Sequence, residues 1–268
     1  MNTYLNLPGG DVTLVAGPTP EKAMGWTRTA YAAAHVVADP LADNDPWVDN
    51  EIDWDRTLAF RDHLWSLGFG VAEAMDTAQR GMGLDWPTSL ELIQRSTKLA
   101  QAGGHLIASG AGTDHLAPGP DVTLDQVIAA YEEQCEAVEA AGSRVILMAS
   151  RALVQAADGP DDYARVYDKV LSGLSQPAIL HWLGEMFDPA LDGYWGADDH
   201  MVSMDTAVSV IAENADKVDG IKISLLSAEK EISMRRRLPE GVRMYTGDDF
   251  NYPELIAGDE EGYSHALL

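Results

Sequence analysis

The sequence is poor in cysteine, in lysine and in positive charge generally. Cys135 is its one cysteine, so no internal disulfide can form, and its setting in 132–138 makes it an ordinary helix residue of a protein expected in the reducing cytoplasm. Lys and Arg number 18 against 43 Asp and Glu, a formal net charge of −25. Nucleic acid and anionic membranes are thereby excluded as partners, because both bind a basic face. No apolar run approaches the roughly 18 residues that span a bilayer. Residues 1–8 lack the basic start and apolar stretch of a signal peptide.

What is present is enough for a large core: 268 residues, 46% of them hydrophobic, within the range of one α/β domain. Residues 1–30 contain Gly9-Gly10, prolines at 18 and 20 and a short strand-like Val12-Thr13-Leu14-Val15, which predicts an N-terminal hairpin or lid. From residue 31 to 268 a regular alternation follows. Apolar, strand-like runs fall at 31–37, 70–74, 105–109, 144–148, 178–182, 220–224, 243–246 and 262–267, with helical spacing at 53–67, 86–102, 124–141, 161–172, 203–214, 228–237 and 252–257. Asp53, Thr123 and Ser203 read as helix starts, and Gly68, Gly103 and Gly142 as helix ends. Eight such units predict a (β/α)8 TIM barrel; a doubly wound open sheet is the alternative, weakened by the lack of a Gly-x-Gly-x-x-Gly loop after the first strand. The last strand runs into Leu268 with no sequence for an eighth helix. The chain is therefore expected to be truncated, the natural protein continuing or a partner covering that edge.

The six lysines are Lys22, Lys98, Lys169, Lys217, Lys222 and Lys230. Only Lys222 sits within an apolar run, Val218 to Leu226, where an ammonium group needs compensation. A lysine desolvated in a strand has its pKa lowered, and a neutral amine forms Schiff bases with carbonyl compounds; a strand-end lysine that snorkels to solvent is the other reading. In a barrel, functional side chains come from the C-terminal ends of strands. Those positions hold Glu73, Asp76, Thr77, Gln79 and Arg80 after the second strand, Arg151 after the fourth and His181 and Glu185 at the fifth. They hold Ser224 at the sixth, Asp248 and Asp249 after the seventh, and Ser264 and His265 at the eighth. Glu73, in an apolar strand, requires Lys222, Arg80 or a metal as partner. His181 is a hydrogen-bonded core residue or a proton shuttle. Arg151 either clamps a substrate carboxylate or pairs with Asp158 or Asp161. Glu73, Asp76, His181 and His265 are also of the right types for a divalent metal, with Glu185 and Asp248 nearby, although no tight ligand spacing supports one.

The last fifty residues carry a specific resemblance. Val218-Asp219-Gly220-Ile221-Lys222, then Gly247-Asp248-Asp249, then Ala257-Gly258 through Gly262-Tyr263-Ser264 resemble, in order and spacing, the dihydrodipicolinate synthase and N-acetylneuraminate lyase family of class I aldolases. The chain departs from that family in three places. Asp76-Thr77-Ala78-Gln79 stands for its Thr-Thr-Gly-Glu-type turn, His181 for its proton-relaying tyrosine, and Ser150-Arg151-Ala152 for its Pro-Tyr-Tyr-like turn. A divergent branch is implied, of the kind usually described only as a domain of unknown function.

The resemblance implies a class I aldolase or lyase acting on a small oxo-acid or oxo-sugar, with the imine at Lys222 and no cofactor. His181 is expected as general acid/base with Glu73 second, and Thr77, Arg151, Ser224, Asp248 and Ser264 as substrate-binding residues. It also implies a homodimer or homotetramer. A divalent-metal-dependent epimerase or hydrolase and a catalytically inactive sugar-binding barrel are the alternatives.

Overall fold

The structure, a computed structural model, describes residues 3–15, 17, 26–45, 49–78, 80, 81 and 83–268. The prolines at 18 and 20, Lys22 and Gln79 lie outside the described residues. Strands β1 (Thr3–Leu7) and β2 (Gly10–Leu14) form an antiparallel hairpin. The eight strands that follow are β3 (Ala30–Ala33), β4 (Gly70–Glu73), β5 (Ile107–Ala111), β6 (Arg144–Leu147), β7 (Ala178–Leu183), β8 (Val218–Ser224), β9 (Arg243–Thr246) and β10 (His265–Leu267). They close into a parallel barrel in which β10 pairs with both β9 and β3. This is the TIM barrel with an N-terminal hairpin that the alternation predicts.

Around it lie α1 (Trp54–Ser66), α2 (Trp86–Gly103), α3 (Leu124–Ala141), the short α4 (Arg151–Ala156), α5 (Pro160–Gly173), α6 (His200–Glu213), α7 (Ala228–Arg237) and α8 (Tyr252–Ala257). Among the described residues no helix is long and apolar enough to cross a membrane.

Local chemistry explains most boundaries. Asp53 caps α1 by accepting from the Arg56 amide, and Thr123 and Gln126 form a reciprocal capping box at α3. Helix α6 starts earlier than expected because Asp199 caps it, while Ser203 turns inward to the Ala197 carbonyl at 2.7 Å. Helix α2 runs through Gly103 and ends at Gly104, whose φ of 65° suits a residue without a Cβ. Strand β3 stops short of residue 37 because the carbonyls of Ala34 and His35 are taken by Arg61 rather than by a ladder partner. Helix α4, capped by Ser150, has no counterpart in the helical spacing of the sequence, six residues being too few to show a period.

Two layers of core result. Tyr31, Ala72, Ala108, Ile146, Ile179, Tyr245 and Leu267 fill the barrel interior, while a larger cluster packs strands against helices. Below the interior cluster Asp219 accepts from Arg144 (2.9 Å), Arg243 (2.7 Å) and the Tyr245 hydroxyl (2.7 Å). The lower barrel is thus plugged, and the C-terminal end is left open. Outside β10 and β3 an apolar groove of about 670 Å³ is lined by Trp26, Leu64, Phe69, Tyr252, Ile256 and Leu268.

Candidate active site

Lys222 lies on β8 directly beside His181 on β7, the two being register partners. Both are buried, at 6% and 1% exposure. Two residues on, Ser224 is likewise buried and its hydroxyl lies 3.5 Å from His181 Nε2. On the next strand a methyl group at Gly247 would overlap Lys222 Cε and Ser224 Oγ, so the lysine occupies space that only glycine leaves free. Lys222, Ser224, Thr77, Asp76, Arg151 and Asp249 share the wall of a cavity of about 410 Å³. A second lobe of about 110 Å³ shares Asp76, Arg80, Arg151, Leu183 and Asp188 with it and adds His181, Leu116, Pro118, Met148 and Leu191.

The turn after β4 delivers Asp76 to this cavity. Ala74 adopts a φ of 52°, a conformation costing a non-glycine residue of order 1 kcal/mol that persists only where surrounding contacts impose it. Those contacts are the Glu73 carboxylate on the Ala74 amide (3.0 Å) and the Arg80 guanidinium on the Ala74 carbonyl (3.2 Å). Arg80 is fixed in turn by Asp114 at 2.8 Å, by the Gly110 carbonyl at 2.6 Å and by Gln134.

The electrostatics shift Lys222 toward its neutral form. Burial pulls the Lys222 pKa down from the ordinary lysine value, with Asp76 and Asp249 opposing. Burial, then Lys222, pushes His181 down to about 3, against Asp76, so the imidazole is neutral at physiological pH. Burial works against the Asp76 carboxylate, yet its pKa lies below the usual value. With His181 neutral, the cation facing it is Lys222, and the backbone amides of Asp76 and Thr77 add to that hold. Two buried atoms of this group have no hydrogen-bond partner, Asp76 Oδ1 and His181 Nδ1. Such orphans are rare and mark places where a ligand atom fits.

Several expected site residues sit elsewhere. Glu73 pairs neither with Lys222 nor with Arg80; it forms a bidentate, fully buried ion pair with Arg61 of α1, at 2.9 and 2.8 Å. Its interior neighbour Ala72 fills the barrel, so the alternation of the strand turns Glu73 outward. Asp248 faces away from Lys222 for the same reason and caps the turn into α8 through the amides of Phe250 (2.9 Å) and Asn251 (2.8 Å). Its neighbour Asp249 takes the place beside the cavity. Arg151 pairs with Asp188 at 2.6 Å rather than with Asp158 or Asp161. His265 accepts from the Thr29 amide at 2.8 Å and does not line the cavity that holds Asp76. Among the described residues no three His, Cys, Asp or Glu side chains converge as metal ligands would.

Ser264 is turned away from the cavity to donate to Glu231 of α7 at 2.6 Å. Burial, with Asp248 adding to it, pushes Glu231 up from 4.5 to about 7. A carboxyl whose folded pKa lies above its unfolded one stabilises the fold fully below the unfolded value and loses that contribution as pH rises through the folded one. Thermal melts should therefore show wild type losing, between pH 4.5 and 7, on the order of 3 kcal/mol that Glu231→Gln does not lose. Parallel stability curves for the two proteins across that window would contradict the assignment.

Asp188 and Arg61 were not legible as site or support residues. Arg61 carried one signal: with Thr57 and Trp65 it forms the i, i+4, i+8 stripe that α1 buries.

The family model described as "Protein of unknown function (DUF993)" matches residues 12–268. A comparison with curated proteins finds no match. Among solved structures, a dihydrodipicolinate synthase from Bacillus anthracis superposes with a TM-score of 0.64 at 14% identity, over 91% of this chain and 70% of that one. A dihydrodipicolinate synthase from Oceanobacillus iheyensis gives 0.56 at 17%, over 81% and 61%. The 2-keto 3-deoxygluconate aldolase of Picrophilus torridus gives 0.60 at 14%, over 90% and 73%. The chain thus spans between about three fifths and three quarters of the length of these proteins. At such identities the likeness is one of fold.

Proposed function

The chain belongs to the DUF993 family, and from that premise we propose that it is a class I aldolase or lyase acting on a small oxo-acid or oxo-sugar through an imine at Lys222. The observation that carries this reading is the buried Lys222 amine, its pKa lowered, at the open end of the barrel beside a neutral imidazole. The aldolase fold of the structural relatives supports it at the level of reaction class.

In the proposed sequence the Lys222 lone pair attacks the substrate carbonyl carbon, and one proton of the attacking amine passes to the carbonyl oxygen to give a neutral carbinolamine. A second proton, relayed from solvent through Ser224 and His181, lets that oxygen leave as water and leaves a protonated imine, whose positive charge Asp76 and Asp249 stabilise. Cleavage then moves the electrons of the carbon–carbon bond into the imine as an enamine, while the proton of the adjacent hydroxyl passes to Asp76 Oδ1. Returning that proton to the enamine carbon and adding water across the imine release the products and free the amine. His181, held neutral, relays protons between the carbinolamine hydroxyl and Ser224. Thr77 orients the substrate from the turn, and the Arg151–Asp188 pair orients it from the rim. Glu73 acts through the Ala74 amide as a positioning residue.

Assay of a panel of oxo-acids and oxo-sugars tests the class. Turnover should survive a metal chelator and be lost irreversibly on borohydride treatment only when substrate is present. Turnover that chelator abolishes and borohydride spares would sink the reading in favour of a metal-dependent reaction.

A further inference from the structure

The cavity around Lys222 also discriminates by charge. Its arginines are engaged: Arg80 with Asp114, Gln134 and the carbonyls of Ala74 and Gly110, and Arg151 Nε with Asp188. The terminal nitrogens of Arg151, whose side chain is 46% exposed, stand at the rim of the cavity. Once Lys222 is the free amine needed for attack, Asp76 and Asp249 stand without a matching cation. The amides of Asp76 and Thr77, the groups best placed to receive an anion on that turn, already support this chain's own Asp76 carboxylate. Past that rim, a substrate carboxylate beside Lys222 meets like charge in Asp76 and Asp249.

The orphaned atoms select in the same direction. Asp76 Oδ1 can only accept a hydrogen bond, and His181 Nδ1, on a neutral ring, can accept or donate according to tautomer. A hydroxyl group satisfies both by donating to the first and bonding the second. A carboxylate, which carries lone pairs alone, satisfies Asp76 not at all. The adjoining lobe sets Leu116, Pro118, Met148, Leu183 and Leu191 beside charges already paired, Arg80 with Asp114 and Arg151 with Asp188, and its apolar side chains suit the carbon-bound hydrogens of a short chain.

We propose that the carbonyl substrate is an uncharged, hydroxyl-bearing molecule, an oxo-sugar or hydroxyketone rather than an oxo-acid. This narrows the imine reading of Lys222 and rests on it. Hydroxyacetone and pyruvate form a matched pair of probes, alike in size and differing in a CH₂OH group against a carboxylate. Each is incubated with the protein and cyanoborohydride. Hydride delivered to the imine carbon converts it to a stable secondary amine, and adduct at Lys222 is counted by mass, normalised to the reactivity of each probe with free Nα-acetyl-lysine.

The hydroxyacetone adduct should exceed the pyruvate adduct on the order of tenfold, and the excess should shrink in Asp76→Asn and in Asp249→Asn, the second a change at an exposed residue that leaves the fold intact. Equal trapping, or preference for pyruvate, overturns the charge selection while leaving the imine standing. An excess unchanged in both variants overturns it too, because these carboxylates are its stated cause. Absence of any adduct with either probe or with dihydroxyacetone removes the imine reading itself, and this inference with it.

Discussion

Lys222→Met should abolish imine formation and lower turnover on the order of 10⁴-fold or more, since among the described residues no other amine lines the cavity to replace the nucleophile. The same change should raise the melting temperature. Lys222 is buried and its pKa is pulled down, so at neutral pH the fold carries a group that the unfolded chain protonates more readily. The sign follows from linkage. Between the lowered folded pKa and the ordinary value near 10.5, the unfolded state binds more protons than the folded one, so stability rises with pH through that window. Wild type should show this rise and Lys222→Met should lack it. A nucleophile held in an apolar wall at a cost to stability is expected of a working site. An unstable Lys222→Met protein with residual turnover near wild type would show that the lysine serves the fold.

The second large effect lies outside the cavity. Glu73→Ala should destabilise the protein by about 3–5 kcal/mol, because it strands the fully buried Arg61 guanidinium without its counter-ion. Denaturant melts read this directly. Replacing both partners, as in Arg61→Leu with Glu73→Leu, should recover much of the loss, since desolvation then costs nothing. The recovered protein should still turn over poorly. The Ala74 amide would no longer be held by the Glu73 carboxylate, and the turn that carries Asp76 would lose one of its two fixings. Full activity in the double variant would mean that Glu73 supports only the fold.

These two residues also show what the sequence could and could not disclose. The barrel was legible because eight apolar runs alternate with helical segments, and Lys222 because one of those runs contains an ammonium group. His181 stood out on the same logic and lies beside Lys222. Glu73 was legible as a buried acid but not as to its direction. Every residue of β4 is buried, as in parallel sheets covered on both faces, so polarity does not reveal which residues point inward. The phase of the strand decides, and it sends Glu73 to Arg61 and leaves Asp76, past the turn at Ala74, to face the cavity. The same phase separates Asp249 from Asp248 and turns Ser264 toward Glu231. Arg61 showed only as a member of the helical stripe with Thr57 and Trp65, and Asp188 is 37 residues from the arginine it binds. Pairings across such separations depend on the closed fold rather than on local pattern.

In the proposed reaction Lys222 is the group that bonds covalently to substrate. Borohydride reduction in the presence of a carbonyl substrate, followed by tryptic peptide mass analysis, tests it most directly. An alkylated lysine resists trypsin, so the adduct should appear in the uncleaved peptide 218–230, between the cuts after Lys217 and Lys230, with fragment ions placing the added mass on Lys222. The same mass on Lys217, Lys230 or another lysine, with Lys222 unmodified and cleaved normally, would contradict it.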